Sequence, residues 1–273
     1  MKTSRQNTII IFLALLLLTG CEKEINIDLN KSNPKFVIEG DVSNIAGNSK
    51  VRISKTLDFD ENVLYPFVSG AFVTITDSTL NRIDTLTEKT IPGTYTNPDL
   101  IGITGHTYNL IVKIDDQTYS STSTMPIGLT LDSIIQENLA GTGGDLGIPE
   151  GTSQPGDIIQ IRPYYINPHT ADEYYQYVVK RNDRLLNNII PRKEMASSGT
   201  SFIFPLFIKA KKNDVIQVDM QFVEKKVYDY LYGISQNYGQ YSATPSNPEP
   251  NISNGALGYF KAHTSQNKTI IIR

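Results

Sequence analysis

Three histidines, a single cysteine and a few acidic or glycine-rich stretches are the residues of this chain whose types could support chemistry. His106, His169 and His263 lie far apart and beside turns. None belongs to a His-x-x-x-His pair or a glutamate-containing zincin pattern, so no metal trio is expected of them. Serines are plentiful, yet no Gly-x-Ser-x-Gly elbow occurs, and Ser69-Gly70 precedes a strand. Asp58-Phe59-Asp60-Glu61-Asn62 gathers oxygen ligands of the kind calcium favours. It lacks the glycine and the distal glutamate of an EF-hand loop, and reads as an acidic solvated loop. In Gly141-Thr142-Gly143-Gly144-Asp145-Leu146, Leu146 stands where a dinucleotide fingerprint needs its third glycine, and no P-loop lysine follows. No spacing promotes a particular carboxylate pair for glycoside hydrolysis. The expectation is a protein that is not an enzyme, with no catalytic residue, no metal and no cofactor.

Cys21 is different. Lys2 and Arg5 precede an apolar run from Ile9 to Leu18, followed by Thr19-Gly20-Cys21. A basic start, a short apolar stretch and small residues before a cleavage point make a secretory leader. The run is about ten residues, too short for the roughly 20 that span a bilayer as a helix. Leu18-Thr19-Gly20-Cys21 resembles the bacterial lipobox, which implies removal of residues 1–20 and lipidation of Cys21. The polar stretch Glu22 to Asn33 then reads as a tether, residues 21–33, although Ile25, Ile27 and Leu29 alternate as an edge strand would.

Composition narrows the rest. Lys and Arg number 25 against 28 Asp and Glu, and two of the basic residues lie in the leader. A mildly acidic chain without a basic cluster offers no footprint for nucleic acid. With Cys21 acylated no thiol remains for a disulfide, so stability must come from buried apolar surface.

The elements that would position any site are strands. Phe36 to Gly40 and Val51 to Ser54 flank a turn at Gly47-Asn48. Ala71 to Thr76, Arg82 to Thr87, Gly93-Thr94-Tyr95, Thr107 to Ile114 and Thr118 to Thr124 follow. Tyr108, Leu110, Val112 and Ile114 alternate with mostly polar residues, and Asp115-Asp116 makes a hairpin turn. Short strands at this spacing predict a β-sandwich over residues 34–126. The Gly70-Ala71-Phe72-Val73 strand, the Gly93-Thr94-Tyr95 corner and Gly105-His106-Thr107-Tyr108 resemble the transthyretin-like or carboxypeptidase-regulatory-like sandwich. Modules of that kind are usually structural or binding units.

Residues 127–273 are expected to form a second β-rich domain. Leu129 to Leu139 reads as a strand leaving the first domain, and Ala140 to Gly156 as a surface loop. Asp157 to Tyr165, Tyr174 to Lys180, Phe202 to Phe204 and Val215 to Val223 read as further strands. Val227, Tyr230, Leu231 and Ile234 recur at helical spacing and predict one helix near 224–236, with Gly239 as its stop. Ala256 to Ala262 and Lys268 to Arg273 close the chain. The fold class is therefore mainly β, two sandwich-like domains with one short helix. Tyr164, Tyr165, Tyr174, Tyr175 and Tyr177 surround the turn at 166–173. They read either as core or, with the helix tyrosines 228, 230, 232, 238 and 241, as a partner-facing region.

The tail Thr244-Pro245-Ser246-Asn247-Pro248-Glu249-Pro250-Asn251-Ile252-Ser253-Asn254-Gly255-Ala256-Leu257-Gly258-Tyr259-Phe260 carries the sharpest resemblance. With Cys21 to Ile25, Val37 to Gly40 and Ser123 to Pro126, it resembles a Bacteroidota lipoprotein family catalogued as domain of unknown function 4249. That resemblance implies an outer-membrane lipoprotein often encoded beside TonB-dependent receptors, and Glu22-Lys23-Glu24 resembles surface-export signals of such lipoproteins. Asn251 and Asn254 read either as parts of a stiff turn or as ligand contacts. Asp77-Ser78-Thr79, Asp84-Thr85-Leu86 and Asp132-Ser133-Ile134 match the short O-glycosylation sequon of exported Bacteroidota proteins. The functional expectation is a lipid-anchored envelope accessory protein that binds a TonB-dependent receptor in nutrient uptake. The alternative is a stand-alone adhesin or glycan-binding lipoprotein, with an unrecognised hydrolase third.

Overall fold

The computed structural model describes residues 34–57, 66–137, 158–166, 171–186, 189–195, 204–237 and 248–273. Cys21, the expected leader and tether, Asp58 to Asn62, the stretch Ala140 to Gly156, His169, Phe202, Tyr238, Gly239 and Tyr241 lie outside the described residues. The described part holds fifteen strands and one helix, α1 (Lys225–Asn237).

The first sandwich is built from β1 (Phe36–Ser43), β2 (Lys50–Lys55), β3 (Phe72–Asp77), β4 (Arg82–Glu88), β5 (Thr94–Thr96), β6 (Thr107–Ile114) and β7 (Gln117–Thr124). Period-2 alternation buries Tyr108, Leu110, Val112 and Ile114 of β6 against Ile38, Val51, Ile53 and Tyr95. β4 pairs with both β3 and β5 and so joins the two layers. At Gly93, with φ at +67°, a Cβ would stand 2.6 Å from the carbonyl oxygen of Ile53, so the turn into β5 needs glycine.

The second sandwich packs a three-stranded sheet against the end of the long one. β8 (Leu131–Glu137), β9 (Ile158–Tyr165) and β13 (Leu206–Lys209) face β10 (Glu173–Arg181) and β14 (Val215–Phe222). β11 (Arg184–Leu185) and β12 (Ile190–Glu194) pair along the outer side of β10. Ile159, Ile161, Leu206 and Ile208 from one layer meet Val179, Ile216, Val218 and Met220 from the other.

One strand belongs to both. β15 (Leu257–Ile271) runs parallel to β1 from Leu257 to His263, then antiparallel to β14 from Thr264 to Ile271. The sequence reads this strand as two separate pieces, because His263-Thr264-Ser265-Gln266-Asn267 is polar. The structure makes it continuous, giving a twelve-stranded sheet in the order β11-β10-β14-β15-β1-β2-β5-β4-β3-β6-β7, with β12 beside β10. Phe260 and Ala262 enter the first core while Ile272, just past β15, enters the second. Gly258 makes this register possible. Its φ is +101°, and a Cβ there would lie 2.0 Å from the Ile38 carbonyl oxygen.

Helix α1 buries Val227 and Leu231 with Val223, against Tyr174, Ile189 and Tyr259. These are the apolar positions its spacing predicts, and Lys225 pairs with Asp229 at i, i+4 on the exposed side, 2.6 Å apart.

Candidate functional site

The tyrosines singled out from the sequence separate by strand parity. Tyr164 points outward from β9 and is 49% exposed, while Tyr165 and Tyr175 are buried. Tyr165 and Tyr175 therefore do not face a partner, because period-2 geometry turns them into the second core. There the Tyr165 hydroxyl donates to Glu194 Oε2 at 2.6 Å and lies 2.9 Å from that of Tyr175. Tyr177 stacks edge-on to Tyr175, with centroids 5.4 Å apart. Arg192 and Glu194 of β12 pair in register with Tyr175 and Glu173, which points both charged side chains inward. Burial pushes the Tyr175 hydroxyl up to about 12 and those of Tyr165 and Tyr177 well above that. These phenols stay protonated, and those of Tyr165 and Tyr175 are hydrogen-bonded inside the core.

The asparagines have main-chain tasks. Asn251 Nδ2 donates to the Phe260 carbonyl at 2.7 Å and its Oδ1 accepts from the Phe260 N–H at 2.8 Å. Its side chain thus occupies the edge of β15 before β14 takes over. Asn251 O accepts from Ser121 Oγ at 2.6 Å, and the Ser253 N–H donates to Ser120 O at 2.8 Å, tying the tail to β7. Asn254 adopts φ +58° beside Gly255, and its amide reaches Thr118 O at 3.5 Å. The tail motif is a clasp joining β7 to β15.

Reasoning from the sequence missed a buried polar row where the two sandwiches meet, on the face of β15 opposite Phe260 and Ala262. Lys261 Nζ lies 3.1 Å from Asp41 Oδ1 and donates to Gln221 Oε1 at 2.8 Å. Gln176 Nε2 donates to the same Gln221 oxygen, and Gln221 Nε2 donates to Asp219 Oδ2 at 2.7 Å. Ser265 Oγ donates to Asp219, and the Ser265 N–H donates to Asn44 Oδ1 at 2.8 Å. Asp41 is held below the usual carboxylate range: burial pushes it up, but Lys261, His263 and Lys50 outweigh that. Asp219 is raised by burial, and burial with Lys261 beside it lowers His263 to about 3. His263 is therefore neutral. The signal was present: Lys261, His263 and Ser265 alternate in a strand whose other face is core.

The open surface lies around α1. Tyr174, Tyr228 and Tyr232 form a ladder with centroid spacings of 5.3 and 5.8 Å, and Tyr232 at its end is 47% exposed. On the other side of the helix a cleft of about 680 Å³ is lined by Ser120, Thr122, Lys226, Tyr230 and Pro248. A neighbouring cleft of about 540 Å³ is lined by Thr122, Thr124, Tyr174, Glu224 and Lys226. No group of three or more His, Cys, Asp or Glu side chains able to hold a metal occurs among the described residues. His106 instead binds Asp77 at 2.8 Å in the first sandwich. The sequon residues Ser78, Thr85 and Ser133 are all exposed.

The family model described as Domain of unknown function (DUF4249) matches residues 22–269. No curated protein matches the chain. Among solved structures, the two fibronectin type-III domain segment from chicken tenascin is similar over 88% of this chain and 99% of that one, at 6% identity and a TM-score of 0.23.

Proposed function

The chain belongs to the DUF4249 family, and on that premise we propose that it is a lipid-anchored accessory protein of the cell envelope that works by binding a partner, a TonB-dependent receptor of the outer membrane. The observation that carries this reading is the Leu18-Thr19-Gly20-Cys21 junction, with the only thiol of the chain at the position where lipidation occurs. The Bacteroidota outer membrane is the proposed address. The fold supports the reading through its clefts beside α1, where polar main chain, aromatic rings and charge converge. Affinity purification of the native lipoprotein tests it. An outer-membrane barrel should co-purify, and its absence would overturn the receptor reading. One acyl chain anchors only marginally, whereas bacterial lipoproteins generally carry several at the cysteine. Cys21→Ser should therefore move the protein to the soluble fraction, and retention in membranes would refute the anchor.

The Tyr174–Tyr228–Tyr232 ladder favours a second reading, a stand-alone glycan-binding lipoprotein, because tyrosine rings make rigid amphipathic platforms. Glycan-array binding lost in Tyr232→Ala, with no barrel partner recovered, would select it.

A further inference from the structure

β7 is the last strand of the long sheet, and part of its outer edge is open. Its ladder to β6 ends at Met125, whose N–H donates to His106 O at 2.9 Å and whose carbonyl accepts from the Gly105 N–H at 2.8 Å. In an antiparallel pair, main-chain groups point alternately toward and away from the neighbour. Ser120, Thr122 and Thr124 therefore turn their N–H and C=O groups away from β6. Ser120 uses both: its carbonyl accepts from the Ser253 N–H and its N–H donates to Ser253 Oγ, each at 2.8 Å. The tail at Asn251 to Ser253 thus already lies along this edge. It goes no further, because the residues before it are Pro248-Glu249-Pro250 and proline has no N–H to donate. Thr122 and Thr124 are left without a main-chain partner among the described residues.

Thr122 borders both clefts beside α1 and Thr124 one of them, and the two clefts share Thr122 and Lys226. Of the carboxylates in the lining, Asp229 is paired with Lys225 at 2.6 Å and Asp172 with Lys193 at 3.0 Å, which leaves Glu173, Glu224 and Glu249 against Lys226. An unpaired strand edge beside a negatively charged groove is a template for an incoming strand that carries positive charge. We propose that this groove takes an extended, Lys- or Arg-bearing segment of the partner protein, which adds to β7 at Thr122 and Thr124. The inference rests on the partner-binding reading and specifies how that partner would be held.

The probe is a synthetic octapeptide of alternating valine and lysine, with alternating valine and glutamate as the control. Both are added to the full chain while amide hydrogen exchange is followed. The lysine peptide should slow exchange at Thr122 and Thr124 by at least about tenfold, the glutamate peptide should not, and Thr122→Pro should abolish the effect. Glu249→Lys changes an exposed residue and should weaken binding by about tenfold; it decides the matter if Thr122→Pro does not fold. Absence of protection, equal protection by both peptides, or protection that grows with protein concentration alone would overturn the proposal, the last by assigning the edge to a second copy. Co-purification from native membranes separates the two ideas. A membrane partner retained equally by wild type, Thr122→Pro and Glu249→Lys refutes the groove and leaves the partner reading standing. No membrane partner for wild type refutes the partner reading, whatever the peptide does.

Discussion

Tyr95 and Tyr108 of the first sandwich reach main chain, whereas Tyr165 and Tyr175 of the second reach other side chains. Tyr95 accepts from the Ala71 N–H and donates to Val68 O, both at 2.9 Å, and Tyr108 accepts from the Ile103 N–H at 2.7 Å. Each of these phenols pins a loop to a strand. Tyr165 and Tyr175 instead share a cluster with Glu194, in which every member depends on its neighbours. Removing one member of a buried polar network leaves its neighbours' groups orphaned in low dielectric. The second core should therefore be the more brittle toward loss of a single polar side chain. β15 carries the same contrast along its length, because its parallel half tolerates no Cβ at Gly258 while its antiparallel half ends in the exposed Ile271.

The largest effect expected is that of Gly258→Ala. The methyl group would collide with the Ile38 carbonyl at a φ that L-residues rarely adopt. Relief requires β15 to leave β1, so the loss should be on the order of 5 kcal/mol, comparable to the whole stability of a domain. Urea unfolding reads it, and a loss below about 1 kcal/mol would mean that β15 does not pair with β1 as described.

The contrast between the cores comes next. Glu194→Ala removes the acceptor of Tyr165 and leaves a buried hydroxyl to satisfy itself, which should cost about 1–3 kcal/mol. Tyr108→Phe leaves the Ile103 N–H unpaired and removes a hydroxyl beside Asp77, and should cost about 1 kcal/mol. If the first-core substitution is the more damaging one, the brittleness of the second core is wrong. A double variant sharpens the point. Glu194→Ala with Tyr165→Phe should recover part of the loss, as expected for one connected network.

Much of this architecture was legible in the residues. Alternation in Thr107 to Ile114 announced β6, and Val227, Tyr230, Leu231 and Ile234 announced α1, because period alone separates a half-buried strand from an amphipathic helix. Tyr164-Tyr165 could not be read in full. Adjacent residues of a strand face opposite ways, and which one faces in depends on the layer packed against it. β15 was obscured for a similar reason. Its polar centre marks a loop by composition, yet Lys261, His263 and Ser265 are buried against Asp41, Asp219 and Gln221, residues that pairing alone brings near. Local patterns give the strands, while partners more than two hundred positions apart, such as Val37 and Leu257, follow from how the sheet closes.

The smallest effect expected is graded rather than abrupt, and it reports on the residue where β15 changes partner. His263 is the last residue paired to β1, and Thr264 the first paired to β14. Burial, then Lys261, lower its imidazole from 6.5 to about 3, while Asp41 offsets part of that. Between those limits the unfolded chain takes up a proton that the folded chain refuses, so stability falls as pH drops. The slope approaches about 1.4 kcal/mol per pH unit once the pH is well below 6.5. Asp41, held low, adds to the loss only as pH falls below its unfolded value of 3.8. Asp219, raised by burial, works the other way, since its stabilising contribution is complete below 3.8 and is lost as pH rises through its folded value. Neither carboxylate produces a loss on going from pH 6.5 to pH 5, so that interval isolates the histidine. His263→Gln cannot titrate, and its urea midpoint should not decline across the interval where that of wild type does. An equal decline in both proteins would place the proton uptake elsewhere and remove the argument that the junction of the two sandwiches is closed to solvent.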